Sequence, residues 1–222
     1  MDAWEAVGAI GSILAAGVAA WAAHQSKGAA TKANEAAGAL VGIERDRRHS
    51  ELTPRFEVSC GLIGPGDYGG KLRLRVKLVG PPELETLDTL TVTIRDDHWR
   101  RRDETLIAGT PSLPHLEEIQ RQVWGPYRFT PQVGPDDARA DVTGRETVYK
   151  SQIPVGEELP FQIEPTVPPS YATAWSPEAW RKDRGTVVRL ALLGEKGSDH
   201  WKLACELDTA GVDVNPVIVR VP

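Results

Sequence analysis

Two tripeptides in this chain contain residue types that can bind a metal ion. Asp97-His98-Trp99 and Asp199-His200-Trp201 each place a carboxylate beside an imidazole, and both groups are ligands for divalent transition metals. The second tripeptide follows Glu195–Ser198, a run typical of a hairpin loop that enters a strand, where aspartate commonly accepts hydrogen bonds from the turn backbone. We therefore interpret both tripeptides as turns, predict no metal site, and expect Trp201 to point inward.

The other groups that could carry catalysis lack the sequence context that such chemistry needs. Gly64–Lys71 is rich in glycine, but it lies between two predicted strands and opens no helix, so it does not match a phosphate-binding loop. Cys60 and Cys205 fall on apolar faces of predicted strands, as buried packing residues do, and would be neighbours if the first strand pairs with a late one. The sequence therefore predicts a protein that is not an enzyme and that needs no cofactor.

The most informative charged pattern is a basic alternation in one predicted strand. In Lys71–Leu78 (KLRLRVKL) the basic residues recur at every second position, so an extended strand places them on one face. Two further arginines, on the neighbouring predicted strands, could extend this face. It is either a solvated surface with acidic neighbours such as Glu57, or a surface that docks on anionic lipid headgroups or an acidic partner. The candidate binding residues are Arg55, Lys71, Arg73, Arg75, Lys77 and Arg95.

These residues fall in a β-rich domain that starts at the first proline. All 17 prolines lie from Pro54 onward, and short segments of alternating apolar and polar residues lie between Gly and Pro turns. We predict a mainly β fold, an immunoglobulin-like antiparallel β-sandwich over residues 54–222, preceded by a long N-terminal helical arm. The predicted strands are RFEVSCGL, KLRLRVKL, LDTLTVTIR, ETVYKSQI, ELPFQIEP, GTVVRLALLG, HWKLACELD and NPVIVRV.

Two later segments are predicted to be helices, and several aromatic residues lie near loops. The helices are Ser112–Gly125 and Ser176–Lys182, and in the second Ser176 suits the N-cap while Pro177 suits the first helical position. We expect the aromatic residues to plug the open ends of the sandwich, with an aromatic binding surface as the alternative. These aromatic residues are Trp124, Tyr127, Tyr171, Trp175 and Trp180.

The first 26 residues contain an apolar segment that could cross a membrane. About eighteen residues, 6–23, carry no charge, which meets the lower limit for a hydrocarbon core of about 30 Å. Trp4 and Trp21 bracket this run at a spacing that suits the two membrane interfaces. We therefore predict that residues 1–26 form a transmembrane anchor and that residues 6–23 contact the lipid bilayer.

Two other interpretations of this opening segment compete with the anchor. A cleaved signal peptide needs a positive N-region, and the residues before the apolar run include acids but no Lys or Arg. A water-soluble helix could bundle into a homo-oligomer, because large apolar residues occupy the a and d positions of one heptad frame. Small residues four apart would also let two membrane helices pack closely. The heptad residues are Trp4, Val7, Leu14, Val18 and Trp21, and the helix-packing residues are Gly8, Ser12 and Ala16.

Residues 27–53 are predicted to form a helical stalk between the anchor and the β domain. The segment contains strong helix formers, and Thr53-Pro54 should end the helix. Basic residues follow the apolar run and acidic residues precede it, so the positive-inside rule places the N-terminus outside and the β domain in the cytoplasm. The predicted location is the bacterial inner membrane, with a single pass. In the opposite orientation a Cys60–Cys205 disulfide could form.

Three stretches resemble a pattern in an uncharacterised actinobacterial protein group with an N-terminal hydrophobic helix and a β-rich domain. They are ERDRRHSELTPRFEV, VWGPYRF and SPEAWRKDRGTVVRL. The resemblance covers most of the chain from about Glu44, and it implies no activity and no functional residue.

The expected function is therefore argued from the residues alone. The net charge of −5 gives no indication of nucleic-acid binding. We predict a membrane-anchored, non-catalytic binding or scaffolding protein that presents its β-sandwich to a protein partner or an anionic surface. The alternative is a soluble oligomeric structural or assembly protein, such as a phage-derived one, whose N-terminal helices bundle.

Overall fold

The computed structural model describes residues 32, 34–63, 70–95, 121–134, 138–172, 175–212 and 216–221. The chain divides into two units between Glu51 and Leu52. No helix within the described ranges is long and apolar enough to cross a bilayer. Several predictions fall outside these ranges: the anchor with Trp4 and Trp21, the helix-packing residues Gly8, Ser12 and Ala16, the tripeptide Asp97-His98-Trp99, and the start of the helix predicted over Ser112–Gly125.

Residues 34–51 of the first unit form a helix, here called α1. Its last residue lies two positions before Thr53, as expected because the residue before a proline is pushed out of the α region. Arg47 Nε donates to Glu51 Oε1 at 2.8 Å, an exposed pair at i,i+4 spacing. Leu40 and Ile43 are exposed on this helix and lie three residues apart.

The second unit contains eleven strands in the part of the chain that the structure describes. All pairs are antiparallel, and the sheet orders are β11-β1-β2-β8-β5, β10-β9-β4-β6 and β3-β7. The strands are β1 (Arg55–Leu62), β2 (Leu72–Gly80), β3 (Thr86–Leu87), β4 (Thr89–Ile94), β5 (Tyr127–Phe129), β6 (Glu146–Tyr149), β7 (Ile153–Pro154), β8 (Glu158–Pro165), β9 (Val187–Lys196), β10 (Asp199–Asp208) and β11 (Val217–Val221). A 3-10 helix covers Pro82–Leu84, and the helix α2 covers Pro177–Arg184.

The predicted mainly β fold with antiparallel sheets is confirmed. Strands β1 and β8 have the bounds that their alternation predicted. The predicted strand LDTLTVTIR divides into β3 and β4 around Asp88, and ETVYKSQI divides into β6 and β7. Strand β5 was not predicted, because its three residues lie in the aromatic stretch VWGPYRF, where no alternation is visible.

Buried side chains from both large sheets belong to one hydrophobic cluster. Val58 and Leu74 come from the five-stranded sheet, and Val92 and Leu190 come from the four-stranded sheet. Each of these four side chains is essentially inaccessible to solvent. Full burial of one such side chain stabilises the fold by roughly 1.5–3 kcal/mol. The inward positions are therefore committed to packing, and only the outward positions of each strand are free to contact other molecules.

Helix α2 begins as its sequence predicted. The Ser176 Oγ accepts a hydrogen bond from the backbone N–H of Ala179 at 3.1 Å, and Pro177 occupies the first helical position. The helix ends at Gly185, whose φ of 72° is readily adopted only by glycine. Trp180 and Arg184 are the buried residues of this helix.

Candidate binding face

Strand β2 presents basic side chains on the outer side of the five-stranded sheet. It lies between β1 and β8, and its burial alternates residue by residue. Leu74 and Val76 point into the core, whereas Arg73 and Arg75 are exposed and Lys77 is half-buried. The outward residues Arg73, Arg75 and Lys77 are called the basic face below.

One end of the basic face has acidic neighbours. Lys77 lies in register between Glu57 of β1 and Glu158 of β8. Glu158 also forms an ion pair with Arg75, with Nε and Oε1 3.4 Å apart, and Glu57 lies 3.6 Å from the Nε of Arg220. This arrangement supports the solvated-surface interpretation at the Lys77 end, because the positive charge there is largely balanced.

The other end of the basic face has no such balance. Arg73 lies in register between Gly61 and Gln162, and both neighbours are uncharged. None of the ion pairs among the described residues includes Arg73. Of the three residues of the basic face, Arg73 is therefore the one with neither an acidic in-register neighbour nor an ion pair among the described residues, a distinction that the sequence alternation alone does not make.

Of the remaining candidate residues, Arg95 and Arg55 lie far from Arg73, whereas Lys71 lies two positions before it in the chain. Arg95 follows β4 in the four-stranded sheet, and its N–H donates to the carbonyl of Arg189 at 2.8 Å, so the prediction that it joins this face is wrong. The reason is that β4 pairs with β9 and β6 rather than with β2. Arg55 starts β1 opposite Gly80, at the far end of β2. Lys71 is half-buried and directly precedes β2.

A surface hollow of about 250 Å³ opens beside Arg73. Gly61 is one of its lining residues, and an added Cβ there would meet only the Cβ of Pro216, at the ordinary contact distance of 3.8 Å. The hollow is called the Gly61 hollow below. The residues that line it are Ser59, Cys60, Gly61, Leu62, Arg73, Arg75, Val212 and Pro216.

A second hollow, of about 330 Å³, lies on the other side of Arg73. Gln162 and Pro160 of β8 and Val133 contribute to its lining. Arg73 therefore stands between two depressions of the surface. Sequence reasoning missed the small and neutral residues of both hollows, since only the register of β1, β2 and β8 shows that they surround Arg73.

The two cysteines are buried free thiols in different sheets. Cys60 lies on β1, which pairs with β11 and β2, and Cys205 lies on β10, which pairs with β9. Burial raises the pKa of each thiol to about 11. These positions agree with the packing role predicted for both residues.

We expect both cysteines to resist alkylation in the folded protein. At pH 8, a thiol with a pKa near 11 has about 100-fold less thiolate than an ordinary one, and burial also limits access. Because the folded pKa exceeds the ordinary value of 9.0, the protonated thiols favour folding below pH 9, and this contribution is lost as the pH rises toward 11. Mass spectrometry after iodoacetamide treatment measures the rate of alkylation of each cysteine, with urea-unfolded protein as the control. Fast alkylation of a thiol in the folded protein would contradict it.

Four of the five aromatic residues near the loops form a second buried cluster, whereas Tyr127 packs against the main hydrophobic cluster. Trp124 and Trp180 are fully buried with ring centroids 5.7 Å apart, and Tyr171 and Trp175 pack against them. The guanidinium of Arg184 lies 3.9 Å from the Trp180 ring centroid and 5.3 Å from that of Trp124. A cation of the chain itself therefore lies over both indole rings, which supports a packing role over a ligand-binding role.

The remaining Asp-His-Trp tripeptide lies where a strand begins. Asp199 is the first residue of β10, and Trp201 is buried as expected. The Asp88 Oδ2 accepts a hydrogen bond from the Gly197 N–H of the preceding turn at 2.8 Å. No group of three or more His, Cys, Asp or Glu residues in the described ranges is placed to hold a metal ion.

Comparison of the chain with models of protein families, with curated proteins and with solved structures finds no match.

Proposed function

We propose that this is a membrane-anchored, non-catalytic binding or scaffolding protein that presents its β domain to a protein partner or an anionic surface. The observation that carries the proposal is the uneven balance of charge along β2. The Lys77 end faces Glu57 and Glu158, whereas Arg73 faces Gly61 and Gln162. At the Lys77 end, acidic residues on the neighbouring strands balance the positive charge, as expected of a surface that only contacts water. The exposed Arg73 has neutral neighbours, so its hydrogen-bond donors stay available to an anion.

We propose further that the β domain is an immunoglobulin-like antiparallel β-sandwich. The orders β1-β2-β8 and β10-β9-β4 correspond to the A-B-E and G-F-C orders of immunoglobulin sheets. A single hydrophobic cluster with contributions from both sheets supports face-to-face packing. Strand β11 beside β1, and β5 before β6 in the chain, are departures from the immunoglobulin order.

We propose that residues 1–26 anchor this domain at the cytoplasmic side of the bacterial inner membrane, as the basic residues after the apolar run favour. Two acidic substitutions in the apolar run, Ile13→Asp with Leu14→Asp, should release the full chain from membranes. Each charge at the centre of a membrane helix costs about 2.5–3.5 kcal/mol, so the pair makes insertion unfavourable. Alkaline carbonate extraction measures the effect: the unmodified chain should stay in the pellet, and the doubly substituted chain should move to the supernatant.

The matched control adds an acid outside the apolar run. Gln25→Asp leaves residues 6–23 intact, so this variant should stay in the membrane pellet. An unmodified chain that is fully extracted would contradict the anchor. It would favour the soluble oligomer instead, because Val7, Leu14 and Val18 could then be buried only against protein. The mass of the assembly in solution would be the measurement for that alternative.

A further inference from the structure

We propose that the Gly61 hollow binds a phosphate monoester group of a lipid headgroup. This inference rests on the proposed function, because it assigns the anionic surface to which the basic face docks. The site consists of four outward positions on two adjacent strands. In register, Ser59 lies opposite Arg75, and Gly61 lies opposite Arg73.

The spacing of the two arginines suits one phosphate group between them. Outward residues two apart on a strand have Cα atoms roughly 7 Å apart, so two guanidinium groups can reach one phosphate. Arg73 can approach from one side, and Arg75, which is 47% exposed and also pairs with Glu158, can turn toward it from the other. Guanidinium forms paired, charge-assisted hydrogen bonds to phosphate oxygens, which an ammonium group cannot do. Ser59 is a lining residue of the same hollow, and a serine hydroxyl can donate a further hydrogen bond.

Glycine creates the space that the phosphate would enter. A larger side chain at position 61 would extend into the hollow beside Arg73, which lies opposite in register, and Pro216, whose Cβ lies 3.8 Å from an added Cβ. No positive φ requires glycine at this position, and an added Cβ would meet no close contact. The absence of a side chain therefore has no backbone reason here, and its consequence is an opening beside two arginines.

Exposed apolar side chains next to the hollow favour a lipid over a soluble phosphate. Ile218, opposite Ser59 on β11, is 58% exposed, and Leu62, in the lining of the hollow, is 46% exposed. Near an anionic membrane surface, arginines can meet headgroups while neighbouring apolar side chains contact the interface. A soluble phosphate compound would gain nothing from Ile218 and Leu62.

The test is a titration of the full chain, purified in a neutral detergent, with two phosphate monoesters. One is dihexanoyl phosphatidic acid in mixed micelles, and the other is glycerol 3-phosphate, the same headgroup without acyl chains. Binding is followed by isothermal titration calorimetry at two salt concentrations. We expect the lipid to bind at least tenfold more tightly than glycerol 3-phosphate, and added salt to weaken its binding.

Three variants separate the hollow from general attraction to a basic surface. Arg73→Ala removes the charge without an acidic neighbour, and Gly61→Val fills the hollow without changing any charge. Each should weaken lipid binding at least tenfold. The matched control is Lys77→Ala on the same strand, whose position lies between two glutamates, and this variant should bind within twofold of the unmodified chain. An unchanged near-ultraviolet circular dichroism spectrum establishes that each variant is folded.

Other results would contradict the site, its specificity for a lipid, or both. Equal losses for Arg73→Ala and Lys77→Ala, or full binding by Gly61→Val, would exclude the hollow while leaving the proposed docking of the basic face intact. Equal affinity for glycerol 3-phosphate and the lipid would exclude the lipid as the source of the phosphate. No binding of either ligand would overturn both this site and the anionic-surface part of the proposed function.

Discussion

Replacing Arg184 by alanine is expected to lower the free energy of unfolding of the β domain by about 3 kcal/mol. The Arg184 side chain is only 1% exposed, and its guanidinium lies over the Trp180 and Trp124 rings. A desolvated cation–π contact contributes about 2 kcal/mol or more. Truncation to alanine also leaves a cavity beside two indoles, and such cavities add to the loss.

Hydrogen bonds also link the aromatic cluster on α2 to the end of β8. The loss of stability caused by Arg184→Ala should therefore extend beyond α2. Trp180 Nε1 donates to the Thr166 Oγ1 at 3.0 Å, and that hydroxyl donates to the carbonyl of Gly125 at 2.6 Å. Thr166 directly follows β8, and Gly125 directly follows Trp124. Movement of the Trp180 ring into the vacated space would strain both hydrogen bonds.

Urea unfolding followed by tryptophan fluorescence measures this effect. The matched control is Arg181→Ala on the exposed side of the same helix, which should change stability by less than about 0.5 kcal/mol. Arg184→Lys keeps the charge but loses the planar stacking of the guanidinium. Its loss of unfolding free energy should therefore lie between those of Arg181→Ala and Arg184→Ala. Equal stabilities of Arg184→Ala and Arg181→Ala would show that the guanidinium does not hold the cluster together.

The second large effect is expected from Gly144→Ala, which should also cost about 3 kcal/mol. Gly144 has φ of 72°, a left-handed conformation that costs an L-residue roughly 1–2 kcal/mol. A Cβ added here would overlap the carbonyl oxygen of Phe129. The Gly144 carbonyl also accepts a hydrogen bond from the Phe129 N–H at 2.7 Å. Relief of the overlap would therefore weaken a bond that contributes about 1 kcal/mol.

Gly197→Ala is the matched control for this prediction. Gly197 has φ of 57°, but an added Cβ there would meet no atom within 4 Å. This variant reports the conformational cost alone, about 1 kcal/mol, and the difference between the two variants reports the overlap at Phe129. The midpoints of urea unfolding provide both values. Equal losses at the two positions would mean that the β5 region shifts without cost to admit the new methyl group.

Local patterns in the sequence determined where many of the elements lie. The alternation of Arg55–Leu62 and Glu158–Pro165 predicted β1 and β8 with their bounds, because the two-residue period of a strand is expressed in consecutive residues. Ser176 and Pro177 likewise predicted the start of α2, because capping joins residues only three positions apart. The basic alternation in β2 and the burial of Trp201 follow from the same local periodicity.

The pairing of strands was decided only in the tertiary structure, and the candidate site depends on it. Periodicity assigns a side chain to one side of its strand but does not identify the neighbouring strand or its register. For this reason the sequence alone does not show that Arg95 lies in the other sheet from β2, or that Glu158 lies beside Lys77. The Gly61 hollow and the Arg184 cluster likewise join residues far apart in the chain, so long-range packing alone brings them together.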